Sequence, residues 1–79
     1  MARLRLFAAA RQAAGTTSDT IPGRTVGDVL DAAVTRYGSE LAAVIENARV
    51  WLNGDPADRG DPVRDDDEVA VLPPVSGGA

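Results

Sequence analysis

Hydrophobic and polar positions alternate from the first residues of the chain. Over 2–7, Leu4 and Leu6 fall on one side and Arg3, Arg5 and Phe7 on the other, which predicts a β-strand with one face turned to a core. An alanine-rich stretch, 8–15, predicts a short helical turn closed at Gly15, where a left-handed cap suits glycine. Residues 16–21 are rich in β-branched side chains and predict a second strand, antiparallel to the first. Pro22 and Gly23 break that pattern. Val26, Val29, Leu30, Ala33, Val34 and Tyr37 then recur at helical spacing, so 26–37 reads as an amphipathic helix. Thr25 is placed to cap it, with Asp28 at the capping-box position, and Gly38 ends it. Ser39 is expected to cap a shorter second helix that turns Leu41, Val44 and Ile45 inward.

Alternation returns over 48–54, with Val50 and Leu52 on one face and Arg49 and Trp51 on the other, before a strong Asn53-Gly54 turn signal. Residues 55–63 read as loop, with an edge segment expected around Val63. Within them Arg59-Gly60-Asp61 matches an adhesion tripeptide, a chance match in a chain with no secretory signal. A polar turn at 64–67 leads into a last strand, 68–72, with Val69 and Val71 inward. Pro73 and Pro74 stop any sheet. The order predicts an α+β fold, a mixed four- or five-stranded sheet packed on one main helix. The domain is expected to span 1–73, followed by a tail over 74–79.

Composition narrows the chemistry. The 79 residues make one domain, which on folding buries only about 60–65% of its unfolded surface, so its core is thin. There is no His, Cys or Lys, and all eight basic residues are Arg. That removes the usual general base, the thiol nucleophile, the Schiff-base amine and the best zinc ligands. A carrier or binding protein is therefore expected rather than an enzyme, with no metal site. The formal charge of −4 speaks against nucleic acid and suits a basic protein partner. The acidic run at 65–68 reads first as a solvated turn and second as a docking patch. No apolar run is long enough to span a bilayer, so no membrane is expected. Arg3, Arg5 and Arg11 interrupt the N-terminal apolar stretch too often for a signal peptide, so a cytoplasmic location is expected.

Four segments carry a resemblance. "RLFAAARQAAG" near the start, "TVGDVL" at the helix entrance, "LNG" after the third strand and "DDDEVAVLPPVSGG" at the end resemble the MoaD/ThiS sulfur carriers. The ending most resembles the small subunit of molybdopterin synthase. The resemblance implies a ubiquitin-like β-grasp fold. It also implies that the carboxyl of the last glycine is activated with ATP on an E1-like adenylyltransferase of the MoeB/ThiF type. Sulfur then replaces the adenylate as a thiocarboxylate, which the carrier delivers to an acceptor such as the large subunit of molybdopterin synthase. No cofactor is held permanently; the ATP belongs to the activating enzyme. Carriers for cysteine or thiamine synthesis share the core. A ubiquitin-like modifier is a further reading, because a chain without lysine can still donate its C-terminus. An adaptor domain with an inert tail is another.

On this reading Gly78 supplies the reacting carbonyl and Gly77 the clearance to thread a narrow channel. Pro73 and Pro74 stiffen the base of the tail, and Val75 offers an apolar handhold. Ala79 departs from the family's Gly-Gly ending, so its removal, by a metalloprotease as for some relatives, is expected. Phe7, Trp51 and Leu72 are expected to form an outward apolar patch that meets the partner. Arg11, after the first strand, is expected to hold a nearby acidic side chain.

Overall fold

The computed structural model describes residues 1–74. Five strands and three helices follow one another as β1 (Ala2–Leu6), α1 (Ala8–Ala14), β2 (Ser18–Ile21), α2 (Val26–Tyr37), α3 (Ser39–Asn47), β3 (Arg49–Leu52), β4 (Asp55–Pro56) and β5 (Glu68–Leu72). The strands form one mixed sheet in the order β2-β1-β5-β3-β4. At its centre β1 runs parallel to β5, with Leu4 opposite Val69; the other pairs are antiparallel. The expected β-grasp architecture is present.

Alternation along the two central strands decides which face is covered. Leu4, Leu6, Val69 and Val71 turn to one side and are buried, against Ile21 of β2, Val26, Val29, Leu30 and Ala33 of α2, and Leu41 of α3. Each such Leu, Ile or Val side chain contributes about 1.5–3 kcal/mol by leaving water. Val44 and Ile45 are only half-buried, at the margin of this core.

Local chemistry fixes the helix ends. Gly15 closes α1 in the left-handed region at φ 75°, its N–H donating to the Arg11 carbonyl. Thr25 Oγ1 accepts from the Asp28 N–H at 3.1 Å, as the cap predicted. The Asp28 carboxylate in turn accepts from the Arg24 N–H at 3.2 Å, one residue upstream of the usual capping-box donor. Two more N–H groups of α2 find backbone partners in the segment after β4. Val26 donates to Asp61 O and Gly27 to Arg59 O, at 2.9 and 2.8 Å. Gly27 allows this close approach: a Cβ there would lie 3.1 Å from the Arg59 carbonyl oxygen. The Arg-Gly-Asp tripeptide is thus part of a strap across the entrance of α2.

Three expectations are corrected. Ser39 is not a cap: Gly38 alone separates α2 from α3, so Ser39 is already helical and its side chain caps nothing. The edge segment is β4, not Val63. Asn53 and Gly54 both adopt positive φ, 51° and 87°, and this tight turn sends the chain straight back along β3. Val63 instead sits buried in the strap, its N–H donating to Arg24 O. Finally, β1 ends at Leu6, and Phe7 is the extended residue that caps α1.

Candidate functional site: the open face of the sheet

The covered face belongs to the core; the other face is open. The register places Arg3 and Arg5 of β1, Glu68, Ala70 and Leu72 of β5, Arg49 and Trp51 of β3, and Pro56 of β4 on that open side. Leu72 lies opposite Arg49, and Trp51 lies between Ala70 and Pro56. Arg49, Trp51, Pro56, Leu72 and Pro73 line a depression of about 180 Å³. Trp51 is 36% exposed and Leu72 is half-buried, so a partner could cover more apolar surface on both.

Phe7, Trp51 and Leu72 were expected to form one patch. Trp51 and Leu72 are brought together. Phe7, 37% exposed, lies outside the depression itself but continues the register of β1 beside Leu72, its N–H donating to Val71 O, with the Arg5 guanidinium 5.5 Å from its ring centroid. Pro73 and Pro74 are exposed where the chain leaves β5. Val75, Gly77, Gly78 and Ala79 lie outside the described residues. Arg11 is exposed and forms no ion pair with a described residue. Alternation marked Arg49 as outward, but the part played by Pro56 was hidden, because its segment read as loop.

The edges of the sheet are closed. Leu6 N–H donates to Thr17 O, so the hydrogen-bonded pairs of β1 and β2 fall at Leu6/Thr17 and Leu4/Asp19. Ser18 and Thr20 therefore turn their backbone groups to the free edge. Thr16 Oγ1 donates to Ser18 O at 3.0 Å and accepts from Ser18 N–H at 3.5 Å. Asp19 Oδ1 accepts from Thr20 N–H at 2.7 Å, and Arg36 donates to Thr20 O at 3.4 Å. At the opposite edge β4 is two residues long and one of them is Pro56, which has no N–H. Strand addition thus meets side-chain-satisfied or absent donors, and the face is the surface left open.

Two further clusters are structural. Asp19 accepts hydrogen bonds from the Tyr37 hydroxyl and from Arg36, tying β2 to the end of α2. The Tyr37 hydrogen bond first, and Arg36 second, hold the Asp19 carboxyl below its ordinary range; burial raises Tyr37. In the acidic run, Asp67 accepts from the Arg64 N–H and from Asn53, which lower its pKa in that order. Asp65 receives the N-terminal ammonium. The run thus shapes a turn. Among the described residues no cluster of His, Cys, Asp or Glu could hold a metal ion, and no helix is long and apolar enough to cross a membrane.

Comparison with known proteins agrees with this architecture. Residues 4–78 match the model of the ThiS family. The chain is 34% identical to small archaeal modifier protein 1 of Haloferax volcanii, over 94% of this chain and 97% of that protein. The solution structure of small archaeal modifier protein 1 from Methanosarcina acetivorans superposes with a TM-score of 0.85 at 29% identity, covering 98% of this chain and 95% of that one. A complex of subunits 1 and 2 of molybdopterin-converting factor from Helicobacter pylori contains a chain with a TM-score of 0.70 and 23% identity, covering 98% and 97%, a likeness of fold alone. With its β-grasp sheet and a match running almost end to end, the chain belongs to the ThiS family of ubiquitin-like sulfur carriers.

Proposed function

We propose that this protein carries sulfur as a thiocarboxylate on Gly78, formed after Ala79 is removed by a metalloprotease. The Gly78 carboxylate attacks the α-phosphorus of ATP on an E1-like adenylyltransferase of the MoeB/ThiF type, and pyrophosphate leaves. Hydrosulfide then attacks the acyl carbon, a C–S bond forms, the C–O bond to phosphate breaks, AMP leaves, and the thiocarboxylate remains. This chain supplies no catalytic side chain to either step. The leading acceptor is the large subunit of molybdopterin synthase, in the cytoplasm, on the strength of the "LPPVSGG" ending.

One observation carries the reading: Pro73 and Pro74 leave β5 beside the Trp51–Leu72 depression. A partner seated on the open face would therefore stand next to the base of the tail. Both prolines have φ fixed near −65° and stiffen that base. The described residues 1–73 then form the docking domain, and 74–79 the delivered arm.

A second reading has its own support. The Haloferax and Methanosarcina relatives are named modifier proteins. In that case Gly78 would be joined to lysine side chains of target proteins. Purification of the protein from its own cells, followed by mass spectrometry, separates the two. Free chains ending at Gly78 with one oxygen replaced by sulfur support the carrier. Lysine-linked remnants of Gly77-Gly78 without any thiocarboxylate support the modifier, and neither species contradicts both.

A further inference from the structure

The strand positions on the open face carry a charge opposite in sign to that of the whole chain. Three of the eight arginines, Arg3, Arg5 and Arg49, but only one of the twelve acidic residues, Glu68, stand at strand positions on the open face. The formal charge of that face is +2, so the remaining positions carry −6 of the chain's −4 total. All three arginines are exposed. Glu68 is a weak counterweight: its nearest contact with Arg5 is 4.0 Å. The guanidinium of Arg5 is also steadied over the Phe7 ring.

We infer that the open face docks on an acidic protein surface, one that sets an apolar knob into the Trp51–Leu72 depression and ranges carboxylates around it. This rests on the carrier reading and names the chemistry of its partner. Arg49 lines the depression itself, so a carboxylate at the rim of the knob meets it directly. Arg3 and Arg5 line a second depression of about 370 Å³ in which Asp19 and Glu68 offset their charge, so the direct carboxylate contact falls to Arg49, whose guanidinium fork can bind it bidentately. The net charge of −4 suggests a basic partner, but the exposed strand positions have the opposite sign. Attraction between these arginines and an acidic surface speeds encounter and fades with salt.

The test is the association of the full-length protein with the E1-like adenylyltransferase encoded in the same genome, measured by stopped flow at low and high NaCl. The association rate of the native chain is expected to fall on the order of tenfold or more with salt. The triple variant R3E/R5E/R49E, checked for native circular dichroism, is expected to associate slowly at both salts. Asp66→Asn, which alters a carboxylate in no hydrogen bond or ion pair with a described residue, is expected to leave the rate unchanged or raise it. A triple variant that associates as fast as the native chain, or slowing by Asp66→Asn alone, overturns the acidic-partner assignment while adenylation of the form ending at Gly78 still stands. Failure of the form ending at Gly78 to be adenylated or bound overturns the carrier reading, and this inference with it.

Discussion

The two faces of the same sheet differ in almost every property. The covered face presents Leu4, Leu6, Val69 and Val71, all at most 2% exposed. The open face presents arginines, one tryptophan and a shallow apolar depression. Both come from the same strands, one residue out of step. A strand's period of two lets the odd and even positions answer to different demands, folding on one side and partner binding on the other. Substitutions on the two faces should therefore separate stability from docking.

The largest effect on stability is expected from Leu4→Ala, which empties the centre of the covered face and should cost about 2–5 kcal/mol in urea unfolding. Trp51→Ala, across the sheet, should stay within about 0.5 kcal/mol of the native stability. It should weaken binding to the E1-like enzyme by about 2 kcal/mol, roughly thirtyfold, as for a central aromatic anchor. If Trp51→Ala unfolds the domain, or binds unchanged, the two faces are not separable in this way.

A smaller loss sharpens the comparison on the covered side. Thr25→Ala removes the α2 cap and should lower stability by about 1 kcal/mol without touching the open face. Smaller still is the acid response of the β2–α2 tie. The folded-state pKa of Asp19 is lowered, so its contribution is present above the unfolded value of about 4 and is lost as pH falls through the folded value. Denaturation midpoints should drop below about pH 4, and Asp19→Asn should flatten part of that slope. A native pH profile in the Asn variant would show that the tie contributes nothing.

The contrast also explains what could be read in the sequence. The strands β1 and β5 and helix α2 were legible because each repeats its apolar positions at its own period, and Thr25 and Gly38 mark the ends of α2. What was hidden depends on residues far apart in the chain. The two-residue β4 exists because the turn at Asn53 and Gly54 reverses the chain at once, and Asp55 and Pro56 carry no strand preference of their own. The tie between Asp19 and Tyr37 joins residues 18 positions apart, and the tyrosine sits in an otherwise apolar helical stripe. Alternation turned each of these arginines outward, but only the strand order gathers Arg3, Arg5 and Arg49 on one face.

The central claim is that the chain end is the reactive group. It is tested most directly by incubating two forms, one ending at Gly78 and one retaining Ala79, with the E1-like enzyme, ATP and a sulfur source, and measuring intact mass. The account predicts that the form ending at Gly78 gains one sulfur in place of one oxygen and that the form retaining Ala79 does not. Conversion of the longer form would contradict obligatory processing, and failure of the Gly78 form, with an enzyme that charges another carrier under the same conditions, would contradict the claim itself.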